Sequence, residues 1–283
     1  MRDCASLQHD AAWYAESPAV MESEGMKIAV CVKYVPDTAI RVKVAADGKS
    51  VDLSDVTYVV NPYDEFAVEE ALQIKERLGG EVVVIAAGSE KSTAGLRTCL
   101  AMGADRAILI QDGTLENADS LAVGSALARV CREFSPDVIL FGKHAIGVDN
   151  GQVPAVVAEL LDVPQVSVVV KLEIRADGFK AEREIEGARE IVEGSLPAVF
   201  TAQKGLNNPR YASLKGIMAA KKKPIETRST ASLGLGADDL ASRLSIEQVT
   251  LPPPRPPGKI LTGDTADAVE RLVKLLREEA KII

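Results

Sequence analysis

From Met26 onward, apolar and polar residues fall into blocks whose lengths switch between those of strands and those of helices. "KIAVCVKYV" (27–35) is a near-continuous apolar run of strand length, the pattern of a strand covered on both faces. "EVVVIAAG" (81–88), "RAILI" (106–110) and "DVILFG" (137–142) read the same way. Between them, helical spacing predicts helices over 61–80, from Ser89 to Met102, over 118–134, and from the glycine-bearing residues 147–151 to Leu161. In "NPYDEFAVEEALQIKERLGG" (61–80), Asn61 is placed to cap, Pro62 suits the first turn, and Asp64 and Glu65 favour the positive end. Ala67, Ala71, Ile74 and Leu78 form its inner stripe, and Gly79-Gly80 ends it. This β-α alternation implies a parallel sheet with helices on both faces.

Other stretches break that rhythm. "RVKVAADGKSVDL" (41–53) carries Asp47-Gly48 between short extended pieces, a hairpin pattern. Residues 168–194 alternate charged and apolar side chains, with turns at Asp177-Gly178 and Glu186-Gly187, and predict an antiparallel meander. "PAVFTA" (197–202) returns to the main sheet. After residue 226 the chain turns polar and loop-like, and "LPPPRPPGKI" (251–260) is a stiff spacer. A last amphipathic helix places Val269, Leu272, Val273 and Leu276 on one face. Three parts follow: residues 1–25, read as a disordered tail or sequence upstream of a start at Met26; an α/β body over 26–226; and an arm over 227–283 reaching onto another chain.

Composition narrows the function. The 283 residues are 47% hydrophobic and 26% charged, ordinary for a globular protein. With 33 basic and 41 acidic residues the net charge is −8, which argues against nucleic acid or an anionic membrane as the main partner. No apolar run approaches the roughly 20 residues needed to span a bilayer. The first 25 residues hold five acids and one arginine and lack an apolar core, unlike a transit or signal peptide. Cys4, Cys31, Cys99 and Cys131 lie far apart without CxxC spacing, so buried free thiols in a reducing compartment are expected. Two histidines, His9 and His144, leave little basis for a metal site, and none is expected.

No catalytic constellation is visible: the chain has no GxSxG, Walker loop, HExxH or GxGxxG, and no catalytic residue is assigned. Glu182 and Glu184 flank Arg183 on one strand face, which a solvated edge explains as well as chemistry does. The best ligand candidate is "FGKHAIGVDNGQVP" (141–154), a strand end, a glycine-bearing loop and a new helix. Such loops bind ligands at the carboxyl ends of parallel strands. Gly147 and Gly151 would let backbone N–H groups approach an anion, Lys143 adds charge, and Asn150 and Gln152 can hydrogen-bond. An ordinary strand-to-helix connection, with His144 a satisfied loop histidine, remains the alternative.

"NNPRYASLKGIMAAKKKPIE" (207–226) is unlike a core element: a proline, an Arg-Tyr pair, a leucine and three consecutive lysines in an acidic protein. Lys221–Lys223 could simply be the cationic last turn of a helix over 211–220, with Leu214 in the core. The whole stretch 183–226, "REIEGAREIVEGSLPAVFTAQKGLNNPRYASLKGIMAAKKKPIE", closely resembles the electron transfer flavoprotein β subunit family, as do "VCVKYVPD", "NPYDEFAVEEAL" and "LAMGADRAILI". The likeness covers all but the 25-residue head.

The resemblance implies a Rossmann-like α/β domain of the adenine nucleotide α-hydrolase type with a meander and a C-terminal arm. It implies a cytoplasmic, bacterial-type electron carrier without catalytic activity of its own, paired with an α subunit that holds most of one FAD. It further implies a structural AMP on this chain, docking by acyl-CoA and other dehydrogenases, and electron delivery to a membrane-bound quinone oxidoreductase. On this basis the AMP site maps onto Cys31, Asn61, Pro62, Ala87, Gly142, Lys143, His144, Ala145, Ile146, Asn150, Gly151, Gln152 and Val153. The docking loop spans 207–223 with Leu214 as anchor and Pro209, Arg210 and Tyr211 fixing its root, while Glu184 modulates release of the flavin domain. The loop departs from the family pattern, reading Val148-Asp149-Asn150-Gly151-Gln152-Val153 where many relatives have an acidic run and Asn-Gln-Thr. Two alternatives remain: an electron-bifurcating subunit holding a second FAD and using NADH, and a stand-alone ATP- or AMP-binding α/β protein.

Overall fold

The computed structural model describes residues 25–115, 118–175, 178–255 and 257–283. Cys4, His9 and Trp13 in the head, the Asp177 part of the first meander turn and Pro256 in the spacer lie outside the described residues. The chain divides into two compact units, one holding the segments up to Arg41 and Asp52–Glu247, the other Val42–Val51 with Gln248–Ile283.

The first unit follows the expected alternation. Its elements are β1 (Met26–Cys31), β2 (Tyr34–Pro36), β3 (Tyr58–Val60), α1 (Pro62–Leu78), β4 (Gly80–Gly88), α2 (Ser92–Met102), β5 (Arg106–Gln111) and α3 (Ser120–Phe134). They continue as β6 (Val138–Gly142), α4 (Val153–Leu161), β7 (Gln165–Arg175), β8 (Gly178–Ile185), β9 (Ala188–Gly194), β10 (Ala198–Ala202), α5 (Leu214–Lys222), β11 (Ile225–Arg228) and α6 (Ala237–Leu240). Among the described residues, nine strands form one sheet in the order β11-β5-β4-β1-β6-β10-β7-β8-β9. It is parallel from β11 to β7, and β8 and β9 add the antiparallel meander. The fold is therefore α/β, with "PAVFTA" returning between β6 and β7 as expected.

Burial on both faces explains the unbroken apolar runs. Along β1, Ile28 and Val30 join the core beneath α1 and α2, while Ala29 and Cys31 join the core beneath α3 and α4. Phe200 on β10 is fully buried and meets Phe179 edge-on at 4.8 Å between ring centroids. β7 bulges against β10, and there Val168 adopts φ 60°, a conformation that β-branched residues rarely take. The Thr201 hydroxyl accepts the Val168 N–H at 2.8 Å, so the displaced donor is satisfied.

Four local expectations change. The run 27–35 is not one strand: β1 ends at Cys31, and β2 pairs antiparallel with β3 in a separate two-stranded sheet. Leu78 is 38% exposed rather than part of the inner stripe of α1, because the helix ends there beside the glycine pair. The helix expected over 211–220 starts only at Leu214, where the Ser213 side chain caps it by accepting the Gly216 N–H at 3.0 Å. The chain after 226 is not all loop, since β11 extends the sheet beside β5 and a 3₁₀ turn over Ala231–Leu233 buries Leu233.

In the second unit, Val44 and Val51 form an antiparallel bridge around the Asp47-Gly48 turn, and Val249 N–H donates to the Gly48 carbonyl. The helix α7 (Thr265–Glu278) is capped by Asp264, which accepts from the Ala266 N–H. None of its residues is buried, and the stripe Val269, Leu272 and Val273 is exposed. No described helix is long and apolar enough to cross a membrane.

Replacing Phe200 by alanine removes a fully buried side chain packed against Phe179 on the α1 side of the sheet and should lower unfolding free energy by about 3–5 kcal/mol in denaturant titration. A loss below about 1 kcal/mol would contradict the packing described.

Candidate functional site

In this sheet β1 is followed outward by β4 and β5 on one side, and the chain then crosses back to lay β6 on the other side of β1. Connections leaving β1 and β6 therefore diverge, opening a crevice at their carboxyl ends, where ligands of open α/β sheets bind. One side chain spans it. The Asp64 carboxylate, in the first turn of α1, accepts the N–H of Lys33 beyond β1 at 2.7 Å and that of Gly142 at the end of β6 at 3.0 Å. It also accepts the Asn61 side-chain amide at 2.8 Å.

Asp64 is 5% exposed. Burial pushes its carboxyl up to about 7, against the pull of the three donors and of the Lys33 ammonium. Its approach to β6 requires glycine at 142, since a Cβ there would lie 2.4 Å from Asp64 Oδ1 and 2.6 Å from Tyr63 Cβ.

Asn61 departs from its expected role. It stands at the N-cap of α1 without capping it through its side chain. Fully buried, it turns instead toward the loop after β6, donating to the His144 carbonyl at 2.9 Å and accepting the Ile146 N–H at 3.2 Å. Asn61 and Asp64 thus hold the loop of 143–152 from the same helix start.

Within that loop the Ala145 carbonyl accepts from Val148 and Asp149, and the Lys143 N–H donates to Ala202. The Asn150 amide donates to the Ser120 hydroxyl at 2.9 Å, tying the loop to the start of α3. Gly147 (φ 88°) and Gly151 (φ 59°) take left-handed conformations. The Tyr63 ring meets His144 edge-on at 4.7 Å, and the Lys143 ammonium lies 4.8 Å from its centroid. At the loop's end, α4 begins after Gln152 with no side chain capping it.

Of the residues expected here, Asn61, Pro62, Gly142, Lys143, His144, Ala145, Ile146, Asn150, Gly151, Gln152 and Val153 come together around the β6 loop. Cys31 lies at the end of β1 and Ala87 at the end of β4. Burial pushes the Cys31 thiol well above its ordinary value, and its neighbour Cys131 adds to this. The strand tips, the Lys143 ammonium and the uncapped start of α4 are all contributed by segments that meet at this loop.

Residues 50–233 match the family model described as the electron transfer flavoprotein domain. The electron transfer flavoprotein subunit beta of Bacillus subtilis is 41% identical over 259 residues, covering 91% of this chain and 100% of the relative. That of Bradyrhizobium diazoefficiens is 42% identical over 251 residues, with 87% and 97% covered, and that of Sus scrofa 38% over 260, with 91% and 99%. The chain belongs to the electron transfer flavoprotein β-subunit family. Membership in that family makes it a component of electron transport associated with flavin.

The segment of 207–223 characteristic of the family resemblance stands on α1 and α2. Leu214 is 76% exposed, which overturns the alternative that it is core; Met218 on the same helix face is also exposed. Arg210 lies across α1, held by Glu69 and Glu76, and Pro209 beside it is half-buried. Tyr211 does not share that anchoring role, because its side chain is 99% exposed. Glu184 on β8 pairs across the strands with Arg189 at 3.8 Å and accepts from the Gln203 amide at 3.4 Å. Glu182 likewise meets Lys171, so these acids form cross-strand ion pairs on a solvated face.

Sequence reasoning missed three groups: Asp64 as the clasp of the crevice, and Glu69 and Glu70 as buried acids of α1. The signal was present for Glu70, which falls three residues after Ala67 and four before Ile74, on the inner stripe of the helix.

Asp64→Asn places an amide N–H₂ among N–H donors and should lower stability by about 1–3 kcal/mol. A folded carboxyl raised from 3.8 to about 7 binds its proton more tightly than in the unfolded chain, so its stabilising contribution is full below 3.8 and lost as pH rises to about 7. Thermal melts across that range should show the wild-type advantage over Asp64→Asn shrinking with rising pH. An advantage that grows would reverse the assignment.

Proposed function

We propose that this chain is the β subunit of a heterodimeric electron transfer flavoprotein, carrying electrons from acyl-CoA and other dehydrogenases toward a membrane-bound quinone oxidoreductase. FAD, bound mainly by the α subunit, supplies the redox chemistry. The residues of this chain bind a second nucleotide, brace the flavin-bearing subunit and present a landing surface for dehydrogenases. The exposure of Leu214 on a segment mounted by buried acids carries the reading, since a free-standing nucleotide-binding domain has no use for an apolar side chain displayed that way.

In this reading AMP lies in the crevice between β1 and β6, touching backbone at Cys31, Asn61, Pro62 and Ala87. The loop from Gly142 to Val153 encloses it, with Gln152 at the phosphate end. Glu184 meets the mobile flavin domain. The stretch after 226, with the apolar face of α7, packs onto the α subunit. An alternative reading places FAD in the crevice and makes the protein electron-bifurcating. It gains from Val153 at the start of α4, which stands where many AMP-binding relatives have threonine, so that one hydroxyl partner for AMP is missing.

Co-expression with the α chain followed by denaturation should release one FAD and one AMP per heterodimer. Two FAD would favour bifurcation, and ATP turnover by the isolated chain would favour a stand-alone enzyme. Leu214→Ala should slow reduction by a dehydrogenase at least about tenfold, as expected for an interface hot spot, with flavin content and melting temperature unchanged. Wild-type rates would remove Leu214 from the docking site.

A further inference from the structure

The apolar patch on α5 stands on two polar mounts that nothing in its own sequence reveals. At its root the Arg210 backbone N–H and Nε both donate to Glu69 Oε2, at 3.1 and 2.8 Å, and one terminal nitrogen reaches Glu69 Oε1 at 3.0 Å. The same guanidinium meets both Glu76 oxygens, at 2.5 and 3.1 Å. Three residues earlier, the Asn207 amide donates to the Phe66 carbonyl at 3.0 Å and to Glu70 at 2.9 Å. At the far end Arg97 of α2 donates to the carbonyls of Ala220 and Lys223, and Lys223 Nζ donates to the Ala104 carbonyl at 2.5 Å. Between these mounts α5 lies so close to α2 that a Cβ on Gly216 would fall 2.4 Å from the Ala101 carbonyl oxygen.

Glu69 bears most of the first mount. Its side chain is 4% exposed, so it requires a partner, and Gln73 supplies a further donor at 2.7 Å. Burial alone would raise its carboxyl, but the hydrogen bonds from Arg210 and Gln73 hold it below the ordinary range, so it stays ionised at neutral pH. Glu76, by contrast, is 59% exposed, and an exposed partner contributes little. A surface ordered before binding loses less side-chain and loop entropy on association.

We infer that Glu69 and Arg97 are positioning residues for electron transfer: acting through Arg210 and through the end of α5, they hold Leu214 and Met218 in binding geometry before a dehydrogenase arrives. This rests on the docking role of Leu214 proposed above.

The test uses the assembled flavin-loaded heterodimer, comparing wild type, Glu69→Gln, Glu76→Gln and Leu214→Ala. Hydrogen exchange without dehydrogenase reads the order of 207–223, and dehydrogenase-driven reduction gives KM and kcat for the heterodimer as electron acceptor. Glu69→Gln should speed exchange in this segment by about tenfold or more, reflecting easier local opening. It should raise KM at least about fivefold with kcat held within about twofold, the mark of lost preorganisation rather than altered chemistry. Glu76→Gln should do far less on both readouts, and Leu214→Ala should raise KM without changing exchange.

If Glu69→Gln leaves exchange unchanged, the positioning role is overturned. Faster exchange with an unaltered KM, while Leu214→Ala still raises KM, also overturns it and leaves docking intact. An unaltered KM in both variants removes the docking role itself, and this inference with it. Should Glu69→Gln not fold, Arg97→Ala carries the same test from the other mount, since it removes the one terminal nitrogen that donates to both the Ala220 and Lys223 carbonyls.

Discussion

A single carboxylate, that of Asp64, joins the two strands between which this chain reverses its winding. β1 and β6 pair from Ile28 to Val30 and from Val138 to Leu140, and toward their carboxyl ends the two chains part and backbone N–H groups lose partners between them. Asp64 takes one N–H from each side, at Lys33 and Gly142, and so closes the floor of the crevice from within α1. The arrangement demands glycine at 142 and a buried amide at 61. The loop carrying Lys143, His144 and Ile146 takes its position from that clasp and from Asn61, with further ties to Ala202 and Ser120.

The same helix serves a second surface. Its first turn organises the crevice, while Phe66 and, three, four and ten residues further on, Glu69, Glu70 and Glu76 organise the root of the exposed segment. One rigid element thus sets the geometry of both sites. Rigidity matters in a carrier: an exposed leucine on a mobile loop would bury itself or aggregate, whereas on a clamped helix it stays displayed.

The fold was largely legible in the sequence because doubly covered strands and amphipathic helices write themselves as runs and periods. β1, β4, β5 and β6 were visible as apolar runs, and the meander as alternation. Leu78 and the late start of α5 turn on local end signals, the glycine pair and the Ser213 cap, while β11 depends on β5 lying beside it, and periodicity records neither. The loop of 143–152 was legible as a ligand-binding candidate, but the roles within it were not. Asn61 reads as a helix cap by residue type and position, and only its distance to His144 and Ile146 shows that its side chain works elsewhere.

By itself, the sequence determined the order and type of the main strands and helices, the parallel sheet with its antiparallel end, and membership in a family recognisable over most of the chain. Those properties follow from local propensity, burial pattern and motif, each written in contiguous residues. Tertiary structure alone decided that Asp64 is a buried clasp rather than a helix-end charge, that Glu69 and Glu70 are mounts rather than solvated acids, and that Leu214 faces solvent. A charged or apolar side chain has no fixed role until its surroundings set its partners and its dielectric, and those surroundings come from segments 31 to 141 residues away.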